Sequence, residues 1–429
     1  MSIHPRPRES KLAAKKSQIL NEVFRSVQCS RFDLARRLNI NATAVGGYID
    51  EFLRLGMLVE GEPIQSRPGR APVPLRINPD HGCFLGLDFE ALRARAVLCD
   101  FAGGILHETE LPIKAGAGRE DVLGAIVSLT RSIARRATTP LLSVGIAAPG
   151  QVDSSAGRIL HYRLLPDFDQ VPVRDRFAEA FDVPVFVEDN IRALAYAELL
   201  RGSGRRSQNF LCLTVRSGVG LGIVIDGKLY GGANAMAGEI GYMVFPTSQG
   251  PQLATDVVSA KGFVAATRTL LGSWQQTAAR KRLLALGGDL TLADICAVAQ
   301  AGDPLLHDRL VELGTYLGIL AANLANVFAP EKIVLTGEVP RCSPLVRDTM
   351  ERTFRKYTLP HILRVTYLED GTLGGFAGAL GAAWMGFERA FPEDEDNLVR
   401  RIGAGTGMGT PSEPLAAASR YTPQLRTSE

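Results

Sequence analysis

The chain has 429 residues, 46% of them apolar and 22% charged, which is ordinary for globular protein and long enough for two or three domains with their own cores. No uninterrupted apolar run reaches the roughly 18 residues of a membrane span, and Met1-Ser-Ile-His-Pro-Arg-Pro-Arg8 leads into no hydrophobic stretch of secretory type. The net charge of +3 is unevenly spread: residues 1–80 carry 13 Lys/Arg against 8 Asp/Glu, and the remainder 35 against 37. A polyanionic partner is therefore expected for the first 80 residues alone. The six cysteines (29, 83, 99, 212, 296, 342) show no CxxC spacing. That pattern fits reduced thiols in a cytosol and argues against a disulfide framework or a zinc knuckle.

Ile19, Leu20, Val23 and Phe24 form a helical apolar stripe. Ser30 is a good N-cap for a second helix, Arg31–Arg37, with Phe32 and Leu34 expected to be buried. Leu38-Asn-Ile-Asn41 reads as a tight turn, with Asn41 capping a third helix that carries Val45, Ile49, Phe52 and Leu53 on one face. Three such helices make a helix-turn-helix. Gly56-Met-Leu-Val-Glu-Gly61 and Ala71-Pro-Val-Pro-Leu-Arg-Ile-Asn78 then read as two strands around Ser66-Arg-Pro-Gly-Arg70, completing a winged helix. Arg67 and Arg70 flank the Pro-Gly tip, a shape suited to a narrow minor groove. The third helix, Ala42-Thr-Ala-Val-Gly-Gly-Tyr-Ile-Asp-Glu51, holds no Arg, Lys, Asn or Gln. Base readout is assigned to Asn41, Thr43 and Tyr48. The pair Gly46-Gly47 costs the helix about 1 kcal/mol per glycine relative to alanine.

From Cys83 the pattern changes to α/β. Phe84 to Asp100 reads as a hairpin, and Leu142-Ser-Val-Gly-Ile-Ala-Ala-Pro-Gly150 as a buried strand ending in a turn. Pro184-Val-Phe-Val-Glu-Asp-Asn-Ile-Arg-Ala-Leu-Ala-Tyr-Ala-Glu198 is an apolar strand whose carboxyl end is polar and which opens an Ala-rich helix. Such strand ends are where α/β proteins hold ligands. Thr214-Val-Arg-Ser-Gly-Val-Gly-Leu-Gly222 and Leu335-Thr-Gly-Glu338 are further strand-end turns rich in glycine. The tail from Asn397 is Gly/Ser/Pro-rich, and residues 396–429 are expected to be disordered.

These segments resemble, in order, those of the ROK family (repressors, open reading frames, sugar kinases). Glu188-Asp189-Asn190 is similar to its "END", Gly232 to Tyr242 to its "GANGAAGEIGH", and Asn323 to Glu338 to its "NLVNLLNPEVIVLGGG". The resemblance implies an α/β fold: an actin/hexokinase-like, ribonuclease H-like body of two lobes behind the winged helix. The expected divisions are 1–80 for the head, 81–200 for lobe 1, and 201–395 for lobe 2 with a last helix returning to lobe 1.

In the family an Asp deprotonates the sugar hydroxyl; Asn190 stands there, and a carboxamide has no useful basicity near pH 7. The phosphate-binding turn is Asp88-Phe-Glu-Ala-Leu-Arg93, in which Glu90 puts an acid where a phosphate would lie and Leu92 replaces a hydroxyl. At 4 Å that repulsion is about 4 kcal/mol for an effective dielectric of 20. Arg216 replaces a glycine of the second turn, and Glu338 adds an acid to the third. The resemblance carries sugar contacts onto Asp189, Asn190 and Glu239, with Gly232, Asn234 and Gly238 shaping the loop and Tyr242 replacing a zinc-binding His. Val244 to Asp256 has no cysteine, so neither a metal nor a cofactor is expected. The Glu that ends the corresponding family segment aligns near Thr255 or Asp256.

The sequence thus reads as a non-enzymatic, cytoplasmic transcriptional regulator. It is expected to be a homodimer or homotetramer that binds double-stranded operator DNA, acts as a repressor in carbohydrate metabolism, and answers to a small sugar, with no membrane association. The alternatives are a ROK sugar kinase, or a regulator whose body has lost small-molecule binding.

Overall fold

The computed structural model describes residues 7–26, 28–62, 73–114 and 116–391, without the side chains of residues 7–12 and Asn234. Residues 1–18 with 392–429 form one unit and residues 19–391 another; everything below concerns the second.

The head consists of α1 (Pro7–Arg25, of which 19–25 belong to this unit), α2 (Arg31–Leu38), α3 (Ala42–Arg54), β1 (Leu58–Glu60) and β2 (Leu75–Ile77). Local chemistry sets its boundaries. Ser30 Oγ accepts from Asp33 N at 3.2 Å while Asp33 Oδ2 accepts from Ser30 N at 3.0 Å, a reciprocal capping box. Asn39 ends α2 in the left-handed region at φ 52°, and Asn41 Oδ1 caps α3 by accepting from Thr43 N at 2.9 Å. Ile19, Leu20, Val23, Phe24, Leu34, Val45 and Ile49 are buried. Phe32 departs from expectation: it is 72% exposed. Residues 32 and 34 lie about 200° apart around a helix, so they cannot share its buried face. β1 and β2 pair antiparallel, Val59 opposite Arg76. Arg67 and Arg70, like the tail beyond Phe391, lie outside the described residues.

Lobe 1 runs β3 (Cys83–Phe89), β4 (Arg93–Asp100), β5 (Ile105–Pro112), α4 (Arg119–Ala134), β6 (Leu141–Ala148), the small meander β7 (Gln151–Asp153), β8 (Arg158–His161) and β9 (Asp169–Val171), then α5 (Val173–Ala178), β10 (Val185–Asp189) and α6 (Asn190–Arg201). Lobe 2 opens with β11 (Phe210–Val215), β12 (Val219–Ile225), β13 (Lys228–Leu229) and the hairpin β14 (Val244–Thr247) and β15 (Gly250–Leu253). Four helices follow, α7 (Ala254–Val258), α8 (Ala260–Ser273), α9 (Ala278–Ala285) and α10 (Leu292–Gln300). The lobe continues with α11 (Pro304–Phe328), β16 (Lys332–Thr336), α12 (Pro344–Tyr357), α13 (Pro360–Leu363) and β17 (Tyr367–Asp370), before the last helix, α14 (Ala377–Ala390). By length and composition α11 is apolar enough to cross a bilayer, yet its Leu306, Leu310, Leu313, Leu317 and Leu320 are core residues of lobe 2.

The two main sheets have orders β10-β6-β3-β4-β5 and β17-β16-β11-β12-β13. Numbered within each lobe, both read 5-4-1-2-3, with the first two strands antiparallel and the fourth and fifth parallel to the first. The same plan is built twice, so the β3–β4 turn of lobe 1 and the β11–β12 turn of lobe 2 are equivalent. Register places Asp88 opposite Ala147 and Asp189 opposite Ala148, so both carboxylates stand at the carboxyl edge of one sheet. That edge is where such sheets hold ligands.

α14 returns to lobe 1 and lies on β3 and β6 so closely that a Cβ on Gly86 would be 1.9 Å from Ala379 O. One core joins it to the head: Phe24 stacks on Phe387 with centroids 4.0 Å apart, continuous with Phe84, Phe101 and Trp384.

Candidate functional site

A cavity lies between the lobes, lined from lobe 1 by Glu90, Tyr162, Asp189 and Asn190 and from lobe 2 by Arg216, Gly238, Glu239 and Tyr242. Its two ends are chemically distinct.

At the end that carries the expected phosphate-binding turn, the two equivalent turns meet. Arg216 Nη1, at the end of β11, lies 3.1 Å from Asp88 Oδ2 and 3.6 Å from Glu90 Oε1. Ser217 Oγ donates to Glu90 Oε2 at 2.6 Å, and Ala91 N donates to the Tyr162 hydroxyl at 3.2 Å. All three charged side chains are at least nine-tenths buried. Burial works against the charge of Arg216, but Asp88 and Glu90 more than offset it, so its pKa lies above the ordinary value. Burial raises the Asp88 carboxyl, with Arg216 opposing, and raises Glu338 nearby. The departures counted separately in the sequence are thus linked: the acid of Glu90 and the guanidinium of Arg216 complement each other. The turn thus holds a buried ion pair rather than a bare negative charge. Leu92 is exposed in the same turn.

At the other end, which carries the sugar positions expected from the sequence, Asp189 is the N-cap of α6, its Oδ1 accepting from Arg192 N at 2.9 Å. Asn190 follows, buried, on the cavity wall. Glu188 is spent elsewhere: it accepts from Ser154 Oγ at 2.7 Å, from Arg192 Nε at 3.0 Å and from Arg389. Despite burial, Arg389 and Arg192 hold its carboxyl below the usual range. Arg192 also donates to Ala235 O, tying α6 to the loop that carries the remaining sugar positions. Burial pushes the Asp189 carboxyl up to about 7, with Arg192 opposing and Glu188 and Glu239 adding to the rise. Burial likewise raises Glu239, again opposed by Arg192.

Gly238 is required where it stands: its φ is 103° and a Cβ there would come within 2.0 Å of Leu221 O. Gly232 has φ 62° in the same loop but is not among the cavity-lining residues, and the backbone of Asn234 lies in the turn Ala233–Ala235. Tyr242 lines the cavity and is 50% exposed. Thr255 also lines it, and Asp256 pairs with the lining residue Arg163 at 3.0 Å. Sequence reasoning missed His161, Tyr162 and Arg163, which line the cavity from the β8–β9 region; no motif marks that loop. His161 Nδ1 is 2.5 Å from Asp169 Oδ1. Among the described residues no group of His, Cys, Asp and Glu is arranged to hold a metal ion.

In the head, Thr43 is exposed at the start of α3 and Tyr48 is half-buried against the head core. Cβ atoms on Gly46 and Gly47 would meet nothing within 4 Å. The fold itself therefore gives no packing reason for these glycines.

The sequence profile of the ROK family matches residues 84–388. The chain belongs to the ROK family. A xylose repressor of Bacillus spizizenii is 26% identical over 367 residues, covering 85% of this chain and 92% of the repressor. A glucokinase of Halalkalibacterium halodurans is 28% identical over 321 residues, covering 70% of this chain and 94% of the kinase. The crystal structure of a ROK family transcriptional regulator, a homologue of the E. coli MLC protein, superposes with TM-score 0.72 at 23% identity, covering 92% of this chain and all of that one. Nearly the whole kinase is thus accounted for by 70% of this ROK chain, whereas the regulator structure spans 92% of it, reaching into the N-terminal head.

Proposed function

We propose that this ROK protein is a cytoplasmic DNA-binding transcriptional regulator, a repressor of carbohydrate-utilisation genes, whose operator affinity falls when a sugar fills the cleft. The carrying observation is the combination of a winged helix that shares one core with the body and a nucleotide end already filled by Arg216. A guanidinium held by two carboxylates removes the backbone cradle on which a triphosphate would rest. With a carboxamide at position 190, the position that holds the base in ROK kinases carries none. The protein accordingly is not a kinase, needs no metal or cofactor, and keeps the domain division 1–80, 81–200 and 201–395.

In this reading Asp189, Asn190 and Glu239 bind the hydroxyls of a neutral aldopyranose, with Gly232, Asn234, Gly238 and Tyr242 shaping the pocket. The xylose repressor and glucokinase likenesses make pentoses and hexoses the first candidates. Asn41, Thr43 and Tyr48 face bases, and Arg67 and Arg70 face the backbone or minor groove. A single winged helix buries too little surface for tight specific binding, so a homodimer or homotetramer on a two-fold-related site is proposed.

The test is selection of bound duplexes from fragmented genomic DNA, followed by affinity measurement with and without D-xylose, D-glucose and N-acetyl-D-glucosamine. Retention of a discrete set of fragments, released by one of these sugars in the native protein but not in Glu239→Gln, is expected. No sequence-selective retention, or equal release from Glu239→Gln, overturns the reading or its site.

A further inference from the structure

The sugar end of the cleft and the winged helix are joined by one helix. Asp189 caps α6, Asn190 is its first residue, and Arg192 reaches from its first turn to the loop of Gly238 and Glu239. The helix is 12 residues long, about 18 Å at 1.5 Å per residue. All but three of its residues are buried, with α14 packed along it. Such a rod moves as a unit and does not absorb a displacement at one end.

At the other end stands Arg201. Its guanidinium lies over Phe24 of the head at 5.1 Å and over Trp384 of α14 at 4.9 Å. It also donates to Gly103 O at 3.1 Å and Ala102 O at 2.5 Å, in the turn between β4 and β5. Trp384 Nε1 shares the Gly103 carbonyl at 3.0 Å. One planar cation therefore meets the end of α6, the last helix, a turn of lobe 1 and the first helix of the head. A second tie runs beside it, Arg25 Nε donating to Glu388 Oε1 at 2.7 Å. A stacked, forked guanidinium holds its neighbours in one geometry in a way an ammonium does not.

We infer that α6 transmits the occupancy of the sugar end to the DNA-reading head, with Arg201 as the positioning residue that hands the shift to Phe24. The inference rests on the effector reading above and supplies its route. A ligand that engages Asp189 and Asn190 resets the first turn of α6. Because the packed core has discrete arrangements, α6 then moves as a body and carries Arg201, Phe24 and α1 with it. Arg201 touches neither the cavity nor the DNA-reading residues, so its role is separable from binding at both.

The experiment measures operator affinity of the full chain, free and saturated with D-xylose, D-glucose or N-acetyl-D-glucosamine, for the native protein, Arg201→Lys, Arg201→Ala and Phe24→Leu. Native protein should bind DNA about 5- to 150-fold more weakly with the active sugar. In each variant that ratio should fall to about 2-fold or less, while DNA affinity without sugar and the sugar-induced thermal shift stay near native. Those two readouts separate lost coupling from simple damage. Arg201→Lys keeps the charge and tests the stacked geometry if Arg201→Ala folds poorly, and Phe24→Leu tests the other side of the contact.

A native-sized ratio in Arg201→Lys and Phe24→Leu overturns the route while leaving the effector reading intact. Loss of sugar binding in these variants also overturns it, since Arg201 would then be supporting the pocket. A native protein that responds to none of the sugars removes the effector reading, and this inference with it.

Discussion

At the nucleotide end of the cleft the carboxylates of Asp88 and Glu90 close on Arg216, while at the sugar end Asp189 and Glu239 line an open cavity and the guanidinium beside them, Arg192, is spent on Glu188, Ser154 and Ala235. Asp88 and Asp189 stand at the carboxyl edge of the same sheet, and both ends carry acids. What differs is where the cation points: into the ligand space at one end, away from it at the other. In the proposed reading, Arg216 occupies the phosphate site and pairs across the lobes, which leaves a pocket for one ligand with no change of fold.

Removing the cation from the closed end should have the largest effect. Arg216→Ala leaves Asp88 and Glu90 buried without their partner, a loss of about 3–5 kcal/mol by the behaviour of other broken buried pairs, readable by urea denaturation. A loss under about 1 kcal/mol would mean that the pair contributes little and that the closed end is not a structural joint.

The sugar end should show its carboxylate through pH. Asp189 ionises near 3.9 in an unfolded chain and near 7 in the fold. Between those values the folded protein binds the proton more tightly than the unfolded chain, so this group makes stability fall as pH rises from about 4 through about 7 and leaves it flat above. Asp189→Asn keeps a good N-cap and should gain stability over the native protein at pH 8 but little at pH 4.5. A difference independent of pH would show that burial does not govern this carboxyl.

The smallest expected effect is none. Asn190→Asp restores a base while Arg216 still fills the phosphate turn, so ADP release with any hexose should stay at background. Turnover in that variant would erase the distinction between the two ends.

Much of this was legible in the residues because the determinants are local. Ser30 and Asn41 are capping residues wherever a helix follows, and Gly238 sits where only a positive φ avoids Leu221 O. The convergence of Asp189, Asn190 and Glu239 followed from their motifs. The rest is tertiary. Arg216 and Glu90 lie far apart in the chain, and each alone reads as a defect; only the contacts of Arg216 with Glu90 at 3.6 Å and Asp88 at 3.1 Å make them complementary. Arg163 lines the cavity and pairs with Asp256 from a loop without a motif. Phe32 is exposed because the helical period sets it on the face opposite Leu34. The contact of Arg201 with Phe24 crosses from body to head and has no sequence signal.

The central claim is that this cleft couples a sugar, and not a nucleotide, to DNA. It is tested most directly by fluorescence anisotropy of selected operator DNA at fixed salt, titrating the full chain alone, with sugar, and with Mg-ATP. The account predicts a 5- to 150-fold weakening, about 1–3 kcal/mol, with one aldopyranose and no change with Mg-ATP. Operator affinity that responds to Mg-ATP, or to no sugar at all, would contradict it.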